Sequence, residues 1–344
     1  MRRSWLKIAG LGIAGLALAA WITYRWVKSS TAVPRGLDDY YVYVASGSSF
    51  KEVEEQLLQK GLVTKPALFR RLAREMEYVQ EPMRSGRYEV KPGWSMVKLI
   101  RHLRNGEQAP VRLVLTNARL LEEVAEAIAE VVEPTAEELL ALWKDEDYLK
   151  ALGYTPQTFM SLFIPKTYEL FWNVSPKGVV NRMLREHRAF WERKDRLDKA
   201  ENLGMTPLEV YTLASIVEKE TNQNEEKPAI AGVYLNRLRK NIRLQADPTA
   251  VFARRDFDAR RVTWYHTKYD SPYNTYMYSG LPPGPICMAS IASIDAVLQA
   301  ESHDYLFFCA RGDGSGLHAF AKTLAGHNQN AQRYRQNLRR RGKR

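Results

Sequence analysis

The segment from Thr206 to Thr221 constrains this chain more than any other, because it joins a fully signalled helix to carboxylates placed at the edge of its apolar face. Thr206 and Glu209 stand in a capping-box relation, with Pro207 at the first helical position. Val210, Leu213, Ala214 and Val217 then recur at helical spacing as one apolar stripe. These signals predict a core helix that ends near Asn222. At about 100° per residue, Glu218 falls roughly 80° from the centre of the stripe, and Glu220 lies near the opposite margin. The two carboxylates therefore cannot share one site. Glu218 would occupy the last turn, where the helix dipole and partial desolvation both disfavour its charge. That predicts a raised pKa, as a general acid requires. The plainer reading is a solvated Glu-Lys-Glu face.

The 344 residues leave room for two domains, and the 26% charged and 45% hydrophobic content is that of a folded protein. Ile8 to Tyr24 carries no charge and is flanked by Trp5, Trp21, Tyr24 and Trp26, which predicts one membrane span. A cleavable signal ending near Ala17-Leu18-Ala19 is the competing reading. Basic residues flank the segment on both sides, so charge barely decides its orientation. The net charge is +12 (51 basic against 39 acidic residues), and part of the excess lies in the tail from Arg333 to Arg344. With no recognisable nucleic-acid module, an anionic envelope surface is a better partner for that tail than nucleic acid, and a frayed, solvated end is the simplest reading. Cys287 and Cys309 are too few and too far apart for a metal motif, so neither a metal site nor a cofactor is expected; the pair could be free or bridged.

After a linker from Ser29 to Gly36, Tyr41 to Val44 reads as a strand and Ser49 with Glu52 opens a helix with Phe50, Val53, Leu57 and Leu58 on its apolar face. A second helix carries Leu68, Phe69, Leu72, Ala73 and Met76. Gly86 to Val90 is the next strand, and a helix with Met96, Leu99, Ile100 and Leu103 stops at Gly106. This is a small α/β unit. Beyond it, Val111 to Leu115 reads as a strand, helices follow at Leu121 and after Thr135, and Tyr305 to Ala310 reads as a strand central to an α+β domain.

Several stretches in order carry a resemblance. Ala214-Ser215-Ile216-Val217-Glu218-Lys219-Glu220-Thr221, Leu244 to Thr249, Ser271 to Tyr276, Gly280 to Ile286 and Gly316 to Phe320 resemble the signature elements of the endolytic murein transglycosylases, the YceG-like family. The resemblance implies a single N-terminal transmembrane helix in the cytoplasmic (inner) membrane with the rest of the chain outside it. It implies a LysM-like domain over residues 41–110, able to tether glycan or to act as a spacer, and a catalytic domain over 111–344. The expected architecture is thus α+β: residues 1–28 as tip and span, 29–40 as linker, then the two domains. Implied too are peptidoglycan strands as substrate, wall-synthesis proteins as partners and a lytic reaction with Glu218 as acid, then base. Phe163 to Glu169 resembles a further family element; the chain departs from the family pattern within it at Lys166 and just before it at Met160 and Ser161.

A lytic cut needs only one carboxyl, because the muramic acid's own 6-hydroxyl attacks and leaves a 1,6-anhydro end; well-oriented intramolecular attack has an effective concentration of about 10⁵ M or more. Asp247 on its Pro-bounded turn raises a rival, since a second carboxylate about 5 to 9 Å from Glu218 would permit hydrolysis. A non-catalytic wall-binding scaffold is the other rival. Gln245, Asp247, Thr249, Ser271, Tyr273, Asn274 and Tyr276 are the candidate sugar contacts, supplying amides, hydroxyls and aromatic faces. His318 is a candidate second acid/base for which the sequence reveals no partner.

Overall fold

A computed structural model of the chain describes residues 40–342 apart from 117, together with 15, 17–19, 21 and 33. Most of the expected membrane segment and linker lies outside the described residues. Among those described, no helix is long and apolar enough to cross a membrane.

The chain forms two compact units. The first runs through Arg112 and takes in Val131–Glu133 and Glu169–Val174. Its Tyr41–Val44 strand pairs antiparallel with Gly86–Glu89, in the register Tyr41 with Glu89 through Val44 with Gly86. The helices Phe50–Gln59, Pro66–Glu75 and Met96–Asn105 complete it. Local chemistry marks the start of the first helix and the end of the third. Ser49 and Glu52 close a capping box on the first helix, while Gly106 turns left-handed (φ 70°) to stop the third, a backbone state open to glycine at little cost. Val42, Val53, Leu57, Phe69, Tyr88, Leu99 and Ile100 form the core.

The second unit comprises Leu113–Glu130, Pro134–Tyr168 and Ser175–Arg344, and is mostly helical. At its centre lies the helix Pro207–Glu220, capped by Thr206 and Glu209 as expected. Every residue from Val210 to Val217 is buried, so the helix is enclosed on all sides rather than along one stripe. Its polar side chains are spent on neighbours. The Tyr211 hydroxyl donates to the Phe163 carbonyl at 2.7 Å and accepts from the Ala289 N–H, and the Ser215 hydroxyl accepts from the Ile286 N–H at 3.0 Å. The helices Lys227–Arg239 and Ile291–Leu298 pack beside it, sharing a core with Ile216, Ile230, Tyr234, Ile294 and Val297. Gly284 allows the preceding bend to fit, since a Cβ there would sit 2.0 Å from the Gln157 carbonyl oxygen.

Two expectations are corrected here. Phe307–Ala310 is not a central strand: among the described residues it pairs with His318–Ala321 alone, in a two-stranded antiparallel ribbon whose residues are mostly half-buried. The ribbon's aromatics still join the edge of the core through Phe308 and Phe320. Nor is the basic tail frayed, because Leu324–Arg340 is a continuous helix tied back by Asn330 to the Phe320 carbonyl and by Asn337 to the Arg311 carbonyl. Both cysteines are free.

Candidate active site

Two residues along a helix turn a side chain by about 200°, so Glu218 and Glu220 leave the Pro207–Glu220 helix in opposite directions. Glu218 turns toward the Ile291–Leu298 helix. Its Oε2 accepts hydroxyl hydrogen bonds from Ser290 and Ser293, each at 2.5 Å, and pairs with the Lys227 ammonium at 3.0 Å. Both members of that ion pair are nearly inaccessible, with 9% of the Glu218 and 5% of the Lys227 side-chain surface exposed. Burial raises the carboxyl's pKa, but the two hydroxyls and the ammonium outweigh it and hold the group below the ordinary carboxylate range. The expected raised pKa of Glu218 is therefore reversed. Burial acts in the expected direction, but three donors on one oxygen overcome it.

Glu220 turns the other way, into a cavity of about 480 Å³. There its Oε1 accepts from the Tyr234 hydroxyl at 2.5 Å. Burial lifts its pKa to about 7, and the charge of nearby Asp247 adds to the rise against the pull of the Tyr234 hydroxyl and the Arg237 guanidinium. Asp247, first residue of the helix Asp247–Arg254, accepts from the Tyr276 hydroxyl at 2.5 Å. Gln245, Arg237, Tyr276, Phe308 and His318 share the wall. Arg237 braces this wall, donating to the carbonyls of Leu306 and Leu244 at 2.6 and 2.8 Å.

Glu220 and Asp247 also line a second cavity of about 250 Å³, with Arg119, Lys219, Phe252 and Phe257. Arg119 and Phe252 continue into a third, of about 200 Å³, where Tyr273 lies. The carboxyl pair thus lines two cavities, an arrangement suited to a chain held across it. None of these three cavities is lined by Glu218.

The candidate sugar contacts divide accordingly. Gln245, Asp247 and Tyr276 line the first cavity and Tyr273 the third. Thr249 and Asn274 are completely buried and cannot meet a ligand in this conformation. Thr249 donates to the Ala246 carbonyl at 2.7 Å, and the Asn274 amide donates to the carbonyls of His266, Thr267 and Tyr269, so both hold the loop that presents Tyr276. The Ser271 hydroxyl caps its own turn by accepting from the Tyr273 N–H. Lys166, the departure from the expected motif, makes an ion pair with Glu186.

As site residues, Glu220 (placed only at a helix margin), Tyr234, Arg237 and Arg119 do not stand out in the sequence. A signal for the first existed: Val210 to Val217 is eight residues without a charge, which already argues for burial on every face and hence for depth at both carboxylates of the last turn. No comparable pattern marks Arg119. His318 does have a partner, Glu226, at 2.9 Å.

The YceG-like family model matches residues 42–333. The chain is 27% identical over 313 residues to an endolytic murein transglycosylase of Bacillus subtilis (strain 168), covering 85% of this chain and 84% of that protein. It is 27% identical over 330 residues to the endolytic murein transglycosylase of Streptococcus pneumoniae serotype 2 (strain D39), spanning 87% of this chain but only 59% of that longer protein. A crystal structure of a YceG-like protein from Listeria monocytogenes superposes with a TM-score of 0.55 at 27% identity, covering 84% of this chain and 97% of its own. With its model matched over most of the length and the fold shared with a solved member, this chain belongs to the YceG-like family.

Proposed function

We propose that this protein is a lytic transglycosylase that cuts within murein glycan strands, and that its acid is Glu220 rather than Glu218. The observation that carries the assignment is the contrast between the two carboxyls. Glu220 opens on a cleft with a pKa of about 7, whereas Glu218 is held charged and enclosed by Lys227, Ser290 and Ser293. The names of the Bacillus and Streptococcus relatives support the reaction class.

A carboxyl with a pKa near 7 is about half protonated at neutral pH and can deliver a proton to the leaving glycosidic oxygen. Because Tyr234 donates to Oε1, the acid's proton resides on Oε2. Asp247, fixed by Tyr276, supplies negative charge beside the anomeric carbon as positive charge develops there. Gln245, Tyr273 and Tyr276 offer an amide and ring faces for sugars on either side of the cut. A strand laid over Glu220 and Asp247 would meet both cavities that they line, which fits internal rather than terminal cleavage.

The uncharged stretch Ile8 to Tyr24 supports a single-span anchor in the cytoplasmic membrane with the rest of the chain outside it, among the proteins of wall synthesis. The first unit, with its strand, two helices and returning strand, is the part that the LysM resemblance concerns, as a glycan tether. Mass spectrometry of glycan strands after incubation with wild type, Glu220→Gln and Glu218→Gln tests the central assignment. The expected result is 1,6-anhydro ends from wild type and from folded Glu218→Gln, and none from Glu220→Gln. Reducing ends in place of anhydro ends would instead favour hydrolysis.

A further inference from the structure

His318 shares the Glu220 cavity yet takes no part in the reaction as described above. Glu226, itself 8% exposed, devotes both carboxylate oxygens to this one residue: Oε1 accepts the His318 backbone N–H at 2.8 Å and Oε2 meets the ring Nδ1 at 2.9 Å. Phe308 packs edge-on against the imidazole, with ring centroids 5.4 Å apart at 85°. Three contacts therefore fix the strand position and the ring rotation. They also fix the tautomer. A carboxylate can only accept, so Nδ1 carries the hydrogen and the neutral ring presents its lone pair at Nε2. Among the described residues that nitrogen has no hydrogen-bond partner and is not sealed in the interior, and the residue forms part of the cavity wall. A carboxylate-oriented imidazole with a free basic nitrogen on a cleft is the arrangement that hydroxyl activation requires.

We propose that His318, oriented by Glu226, is the base that removes the proton of the attacking muramoyl 6-hydroxyl, dividing the proton work between two groups; the inference rests on the lytic reading above. In the step, Glu220 gives its proton to the glycosidic oxygen as the bond from that oxygen to C1 breaks, the oxygen keeping the electron pair. O6 forms its bond to C1 while its hydrogen passes to Nε2. The resulting imidazolium faces Glu226, which stabilises it, and returns its proton through cleft water to the Glu220 carboxylate. Protons balance over the cycle and no co-reactant is needed.

The charged and titratable groups around the ring are few enough to control for. Glu226 faces it from the start of the Lys227–Arg239 helix. Arg311 and Cys309 belong to the neighbouring strand and its extension, the Arg311 guanidinium donating to the His318 carbonyl. Glu220, Tyr234, Arg237, Asp247, Tyr276 and His327 line the shared cavity.

The test uses the full chain and purified murein glycan strands, with kcat and KM measured from pH 5 to 9. His318→Asn keeps a donor for Glu226 but lacks Nε2. It is expected to lower kcat about 100-fold near neutrality with KM little changed, and to abolish the fall of kcat on the acidic side. Glu226→Gln is expected to lower kcat with KM little changed, since the imidazolium formed in the step loses the carboxylate that stabilises it, and this variant serves if His318→Asn folds poorly. Wild-type kcat with the acidic limb intact in His318→Asn would overturn the proposal. So would an equal loss at every pH in both variants, which is what a purely structural anchor produces. Glu220→Gln separates the two readings: cleavage retained by that variant refutes the acid, whereas its inactivity beside an unaltered His318→Asn refutes only the base.

Discussion

Replacing Glu220 with Gln should stabilise the protein, and only above a defined pH. The carboxyl is raised from 4.5 to about 7 by burial and by Asp247. For a group whose folded pKa is raised, its favourable contribution is complete below the unfolded value and is lost as pH rises through the folded one. At pH 8 the folded state must hold a charge that the unfolded chain holds in water, a cost on the order of 1–3 kcal/mol once water in the cleft is allowed for. Gln keeps the bond from the Tyr234 hydroxyl and has no proton to lose. Urea unfolding of wild type and Glu220→Gln at pH 5, 6, 7 and 8 reads the effect directly. The two stabilities should lie close at pH 5 and separate in favour of the variant up to pH 8. Parallel curves across that range, or a variant less stable at pH 8, would show that Glu220 is not a buried carboxyl poised near neutrality and would remove the reason for choosing it as the acid.

Glu218→Gln should do the reverse, costing about 3 kcal/mol near neutrality because the nearly inaccessible Lys227 ammonium loses its carboxylate, while folded molecules still cleave glycan; unfolding midpoints and activity per folded molecule check this together. Tyr276→Phe leaves Asp247 without its hydroxyl partner and should lower kcat/KM about tenfold with little change in melting temperature. Asn274→Ala removes an amide serving three carbonyls and should destabilise by about 2–3 kcal/mol, with KM unchanged for the folded fraction, as measured by denaturant titration and steady-state kinetics. Gly284→Ala should destabilise by about 3 kcal/mol or more, since its methyl would meet the Gln157 backbone rather than a movable side chain; thermal melting is the check.

What the chain determines locally was legible without coordinates. Thr206 with Glu209 and Ser49 with Glu52 close capping boxes, Gly106 ends its helix, and the spacing of Val53, Leu57, Phe69, Leu72 and Leu99 marks the buried faces, because each is a relation between residues a few positions apart. The divergence of Glu218 from Glu220 follows from helical periodicity in the same way. Which of the two meets the cleft does not. That depends on Ser290, Ser293 and Lys227 arriving at one carboxylate and Tyr234 and Asp247 at the other, and a pKa is set by whatever charges and donors the fold brings within a few ångströms. The burial of Thr249 and Asn274, the placing of Arg119 beside the carboxyl pair and the meeting of His318 with Glu226, 92 residues apart, were likewise decided only by tertiary packing, since no periodicity in one segment records what another lays against it.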